Sequence, residues 1–198
     1  MGSPDRLRSA AFRFRGFTPI PFLILALVFA QPVLWGLVTG LFMICAGEAL
    51  RFWAVSVAGS ETRTTIAPGG TSLVTGGPFA YLRNPIYAGN LVIYSGVGMM
   101  SMGLFPWLLL GGLLCFCIQY ALIISYEEEV LKNRFGQVYE AYASRVNRFF
   151  PRVRAKNAGN QTHSDPSAGL KSEKRTLQAE AIVVALFIGI YVARCGRG

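Results

Sequence analysis

The chain has 198 residues, 53% of them hydrophobic and only 15% charged, with 19 Lys+Arg against 10 Asp+Glu and a net charge of +9. Mean hydropathy is +0.42, which excludes a disordered tail and is too apolar for a soluble domain, but suits one bundle embedded in lipid. In so apolar a chain the positive balance points to membrane-flanking loops and anionic headgroups rather than to nucleic acid.

In chain order, residues 1–16 form a basic segment carrying Arg6, Arg8, Arg13 and Arg15. A bilayer core of about 30 Å needs roughly 20 helical residues. Four stretches have that length: Phe17 to about Leu34, Trp35 to about Ala58, Pro85 to about Met102, and Pro106 to about Tyr126. Gln31-Pro32 separates the first two and Gly103–Pro106 the last two, so each pair reads as a tight hairpin. Reading residues 1–30 as a cleaved leader is disfavoured, because the first apolar run is long for one. A shorter apolar run, Ala181–Ala193, reads as a fifth span. The expected architecture is therefore an all-α polytopic membrane bundle of about five transmembrane helices with an amphipathic helix on its cytoplasmic side. It divides into 1–16, a core at 17–154, a flexible linker at 155–176 and a C-terminal apolar helix at 177–198.

Positive charge sets the expected orientation. The N-terminal segment, the loop 59–84 with Arg63 and Arg83, and the stretch after the fourth span, with ten Lys or Arg up to Arg175, should all be cytoplasmic. In that stretch Leu131, Phe135, Val138 and Tyr142 recur at helical spacing, the stripe of an amphipathic helix. His163 reads as a solvated loop residue, and Asn160-Gln161-Thr162 as a glycosylation sequon made idle by a cytoplasmic location. Cys45, Cys115, Cys117 and Cys195 have neither disulfide nor zinc spacing, and the pair at 115 and 117 reads as small buried hydrophobes. Glu48 and Arg51 lie three apart on the second span, within reach of an ion pair.

Two polar constellations flank the third and fourth spans. In the first, Gly76-Gly77-Pro78 forces a turn, and Asn84 before Pro85 reads as the N-cap of a helix whose orphan N–H groups, beside Arg83, attract an anion. In the second, Glu127, Glu128 and Glu129 close a membrane helix and require water, a cation or a cationic ligand. A plain surface pair of Glu128 with Lys132, four residues on, would also satisfy them. Together the two suit a ligand of mixed charge, with Phe79, Tyr81, Tyr87 and Tyr126 available to cover a flat ring.

These residues carry a resemblance. Gly77-Pro78-Phe79, then Arg83-Asn84-Pro85-Ile86-Tyr87-Ala88-Gly89, then Glu127-Glu128, then Phe135-Gly136 with Tyr139 and Tyr142, and finally Val146-Asn147-Arg148-Phe149-Phe150-Pro151 resemble the ordered motifs of the integral-membrane isoprenylcysteine carboxyl methyltransferase and phospholipid methyltransferase families. The resemblance covers about residues 50–152, including Arg51-Phe52-Trp53. It implies S-adenosylmethionine in a cytoplasm-facing pocket, with Leu73, Val74, Phe79, Asn84, Pro85, Tyr87 and Glu127 at the cofactor. Arg83 would organise the motif or meet a carboxylate, and no metal is implied; if the acceptor is an amine or thiol a base must take its proton, and Glu128 and Tyr87 are the candidates by proximity alone. Asn84 stands where the family has histidine and Asn147 where it has proline. Ile123, Ile124 and Ser125 occupy the neighbourhood of an arginine associated with the prenylcysteine carboxylate. The implied partners are membrane lipids and a lipophilic or lipidated acceptor: a prenylcysteine-like carboxylate, a lipid amine or a thiol. Two other readings are an NADPH-dependent reductase of the sterol-reductase type, which shares an Arg-x-Pro-x-Tyr arrangement, and a non-enzymatic scaffold built on Gly36-x-x-x-Gly40. Neither the acceptor nor the oligomeric state is legible.

Overall fold

A computed structural model describes residues 3–59, 72–151 and 164–196. Arg63, His163 and the sequon at 160–162 lie outside the described residues. The described helices are α1 (Ser3–Arg13), α2 (Pro19–Val28), α3 (Leu34–Ala58), α4 (Pro85–Ser101), α5 (Trp107–Phe135), α6 (Gln137–Ala143) and α7 (Pro166–Cys195), with a short 3-10 turn at Gly77–Ala80.

Helices α3 and α4 are the closest pair, and glycine is the reason. A Cβ on Gly96 would stand 2.6 Å from the Gly40 carbonyl oxygen, and one on Gly47 would stand 2.7 Å from that of Gly89. Without side chains at the crossing the two backbones approach closely, the way helices associate in lipid. Gly36 joins the same seam, 2.7 Å from the Met99 carbonyl oxygen by the same measure. The glycine pair that suggested a scaffold is thus used inside the molecule. From this seam outward, Ile44, Ile93, Met100, Phe116, Tyr120, Ile123 and Ile124 form the buried core with Phe187 of α7. Outside, Phe42 and Trp107 are 75% and 76% exposed, as side chains meeting acyl chains should be. All four cysteines lie on that outer surface. For Cys115 and Cys117 the expected burial is therefore corrected: a lipid-facing surface tolerates small apolar groups as well as a core does.

The helices depart from expectation in four places. The basic N-terminal segment holds a helix that was not expected: α1 packs on the end of α5, with Phe12 buried 5.9 Å from the Tyr126 ring centroid and Arg8 3.1 Å from Glu129. The first expected span shrinks to the ten residues of α2, about 15 Å and too short to cross alone. Pro19 and Pro21 start it late, and Gln31, which precedes Pro32, lies outside any helix. The fourth span does not stop at Tyr126. It runs through the glutamates to Phe135, where Gly136, at φ 52°, breaks it from α6. That break rotates the stripe: Leu131, Phe135 and Tyr142 pack as expected, but Tyr139 replaces Val138, which is exposed. Finally, α7 starts at Pro166, so residues 166–176 are helix rather than linker.

Against about five expected transmembrane helices, three among the described residues are long and apolar enough to cross a membrane: Leu34–Ala58, Trp107–Phe135 and Gly169–Cys195. The fifth run is among them, because its helix is lengthened by the turns before it. It runs antiparallel to α3 along the bundle's whole length. At one end the Asp165 amide donates to the Ser56 carbonyl (2.9 Å); at the other an Arg194 Nη1–H donates to the Ala30 carbonyl (3.1 Å). At that second end the Gln31 amide donates to the Ser101 carbonyl (2.8 Å) and the Ser101 hydroxyl to that of Ala26 (2.6 Å).

The seam predicts opposite signs for one substitution at two glycines. Gly96→Ala is expected to destabilise by about 1–3 kcal/mol by forcing α3 and α4 apart. Gly111→Ala, where nothing lies within 4 Å of the added carbon, is expected to be neutral or stabilising by up to about 1 kcal/mol through helix propensity. Thermal unfolding of both variants in one detergent checks the pair.

Candidate active site at the polar end of the bundle

The polar constellations meet because three hydrogen bonds tie the Gly77–Asn84 loop to the chain after α5. The Tyr142 hydroxyl donates to the Phe79 carbonyl (2.8 Å), the Arg83 amide to the Asn147 carbonyl (3.0 Å), and Asn84 Nδ2 to the Arg148 carbonyl (3.4 Å). Asn84 sits at the N-cap position of α4 but makes no side-chain cap bond. Its amide donates to the Arg148 carbonyl instead, which corrects the capping role expected for it.

Glu128 is the hub of this junction. Its Oε1 lies 3.4 Å from Arg83 Nη1 and accepts from Arg148 Nε at 3.2 Å, while Oε2 is bound by Arg148 Nη2. The Glu128–Lys132 pair is not formed, since Lys132 turns to Glu140 at 2.9 Å. Beside the hub, Tyr139 and Tyr142 are buried, and burial pushes both phenols up, Tyr139 to about 12 with help from the Glu128 charge. Both therefore stay protonated donors at any physiological pH.

One turn deeper, the Tyr87 hydroxyl donates to Glu127 Oε1 at 2.7 Å. Arg15, after α1, approaches the same oxygen at 4.0 Å and stacks on Phe12, 4.1 Å from its ring centroid. A second ion pair lies on the far wall, where Arg51 Nη2 meets Glu173 Oε2 of α7 at 2.7 Å and Arg51 Nη1 stands 3.8 Å from Glu48. The Glu48–Arg51 pair read from the sequence exists, but Glu173 is the closer partner.

Phe12, Arg15, Arg51, Tyr139, Tyr142 and Glu173 border one cavity of about 620 Å³, within the usual range of small-molecule sites. Every expected site residue lines it: Leu73, Val74, Phe79, Arg83, Asn84, Pro85, Tyr87, Glu127 and Glu128. Of the expected ring-covering aromatics, Phe79 and Tyr87 line it. Tyr126 packs on Phe12 and Tyr81 on Trp53, so neither does. Sequence reasoning missed Phe12, Arg15, Asn90, Tyr94, Tyr120, Glu173 and Thr176 on its walls. Asn90 and Tyr94 were discoverable, being three and seven residues after Tyr87 and so on its face of α4. Tyr120 likewise precedes Glu127 by seven. No local signal marked Arg15 or Glu173.

The cavity thus offers carboxylates, guanidiniums and aromatic walls together, with the Nε–H of Arg83 buried and without a hydrogen-bond partner. Such a lining fits a ligand bearing both charges and a flat ring. A mixed-charge cavity at one end of a bundle that includes three helices of membrane-crossing length defines the class of a helical membrane protein with a polar site. Residues 35–138 match the phospholipid methyltransferase family, to which the chain belongs. It is 32% identical over 135 residues to the human protein-S-isoprenylcysteine O-methyltransferase (63% of this chain, 44% of the relative) and 35% identical over 110 residues to protein-S-isoprenylcysteine O-methyltransferase B of Arabidopsis thaliana (54% and 55%). It is also 30% identical over 118 residues to the nickel-cobalt-cadmium resistance protein NccN of Alcaligenes xylosoxydans xylosoxydans (59% and 50%). The chain spans about half the length of the curated relatives it matches. No solved structure matches it.

Proposed function

We propose that this chain transfers a methyl group from S-adenosylmethionine to a lipophilic acceptor at the membrane surface. The observation that carries the reading is the convergence of Phe79, Arg83, Tyr87, Glu127 and Glu128, from both polar constellations, on one cavity. When bound, S-adenosylmethionine supplies an electrophilic sulfonium methyl, so the protein's work is alignment and exclusion of water.

The residues divide that work. Leu73 and Val74 offer backbone groups, and Phe79 an apolar wall for a ring, while Pro85 starts α4 so that Tyr87 faces inward. Glu127 lines the cavity and holds the cationic part of the ligand, with its orientation fixed by Tyr87. Arg83, Glu128 and Arg148 clamp the loop onto the end of α5. With both oxygens engaged by guanidiniums, Glu128 serves better as clamp than as base. Where the acceptor is an amine or thiol, its proton passes to the Tyr87 oxygen as the Tyr87 proton moves to Glu127. A carboxylate acceptor needs no such step. The positive-inside rule supports a cytoplasmic site, since Arg6, Arg8, Arg13 and Arg15 flank the same end.

Incubating purified protein with methyl-labelled S-adenosylmethionine, total membrane lipid and a panel of thiols and prenylcysteines tests the reading. Label is expected in the organic phase, suppressed by S-adenosylhomocysteine. Calorimetric binding of NADPH without binding of S-adenosylhomocysteine would favour the reductase instead.

A further inference from the structure

The cavity does not end at the motif residues. Tyr87, Asn90 and Tyr94 descend one face of α4, and Glu127 and Tyr120 one face of α5, so the lining continues seven residues inward on each helix, about 10 Å at 1.5 Å per residue. This deeper lobe is lined by hydrogen-bonding side chains at the level of apolar helix, where unsatisfied polar groups are costly. Its side wall is not built by α4 and α5. Arg51 of α3 and Glu173 and Thr176 of α7 line the same cavity, and Arg51 lies across α4 beside Gly89.

The wall is assembled closely. Gly89 leaves room for the Arg51 stem to lie flat across α4, since a Cβ there would stand 2.5 Å from Arg51 Cγ. The guanidinium then reaches Glu173, whose side chain is 3% exposed, at 2.7 Å. Gly169, one turn before Glu173, packs directly against Ser56, and the Asp165 amide bonds the Ser56 carbonyl one turn earlier still. Positions 165, 169 and 173 thus form one docking face along α3. Helix α7 lies wholly beyond residues 35–138, which match the family, so its share of the wall, Glu173 and Thr176, comes from a part of the chain outside that match.

We propose that α7 completes the acceptor side of the site, and that Glu173 is a positioning residue that fixes Arg51 in the wall of the deep lobe, where an acceptor with a hydrogen-bonding headgroup on an apolar tail is held. The inference rests on the methyltransferase reading above. The headgroup sits among Asn90, Tyr94 and Tyr120, while the tail leaves toward lipid between helices. The donor occupies the shallower lobe, so the two ligands meet different walls. Perturbing α7 therefore alters acceptor recognition without altering donor affinity.

The test uses the full chain in bilayer nanodiscs, with methyl-labelled S-adenosylmethionine as donor and total membrane lipid extract as the acceptor source. Glu173→Gln is expected to raise the extract concentration giving half-maximal rate by about tenfold, with S-adenosylhomocysteine affinity within about twofold of wild type. Exchanging the pair, Arg51→Glu with Glu173→Arg, is expected to restore part of that loss. Should Glu173→Gln fail to fold, Thr176→Phe, which fills the lobe without touching the ion pair, is expected to give the same split. Equal loss of acceptor and donor affinity, or no change in either from Thr176→Phe, would overturn the assignment of the deep lobe while leaving the methyltransferase reading standing. Absence of any methyl transfer by the wild type would overturn that reading and this inference with it.

Discussion

Replacing Glu127 with alanine is expected to weaken S-adenosylhomocysteine binding by about 10- to 100-fold, the loss of one charge-assisted contact worth about 1.5–3 kcal/mol. Glu127 is the group on which the two constellations close: Tyr87 donates to it from α4 and Arg15 approaches it from beyond α1. Its own helix holds it without depending on either contact, and the groups it leaves behind border an open cavity that water can enter. The fold should therefore survive. Tyr87→Phe keeps the ring, which stacks 4.8 Å from that of Tyr120, and removes only the donor. A smaller loss is expected, about 0.5–1.5 kcal/mol. Calorimetry with thermal unfolding as the companion measurement decides the matter. Unaltered affinity in both variants places the donor elsewhere, and a fall in melting temperature without a fall in affinity makes the pair structural.

Glu128→Gln should behave differently. The glutamate balances Arg83 and Arg148 at once, so neutralising it leaves two guanidiniums facing each other beside the motif loop. Removing one partner of a buried pair costs about 3–5 kcal/mol, and the partial exposure of Arg148 (37%) moves the expected cost to the low side, about 2–3 kcal/mol. The melting temperature should fall, and affinity for S-adenosylhomocysteine should fall with it as the loop from Leu73 to Asn84 loosens. Arg148→Ala should reproduce that pattern more weakly. A base would leave another signature: turnover abolished with stability and ligand affinity intact. Unfolding and calorimetry on the same preparations separate the two roles.

The two predictions differ although the residues are adjacent, and that difference was invisible in the sequence. Consecutive positions on a helix point about 100° apart, so Glu127 and Glu128 were bound to face different surroundings, but their partners lie 40 and 20 residues away. The surface pair with Lys132 was the local solution and lost to two arginines brought in by the fold. The same logic displaced the side-chain cap at Asn84, whose amide found a carbonyl 64 residues on.

What the sequence determined unaided is whatever depends on composition, periodicity and chain-local stereochemistry. Apolar runs long enough for a bilayer marked α3, α4 and most of α5; Gly76-Gly77-Pro78 and Asn84-Pro85 marked the turn and the start of α4; and the order of short motifs carried the family and nine wall residues of the cavity. Tertiary structure alone decided what depends on distant partners. It folded the basic N-terminal segment into α1 and carried Arg15 to Glu127, extended α7 back to Pro166, and set Glu173 against Arg51, 122 residues away. A buried charge in an apolar bundle is tolerated only where an opposite charge meets it, and which residues meet is fixed by how helices pack, which no local pattern records.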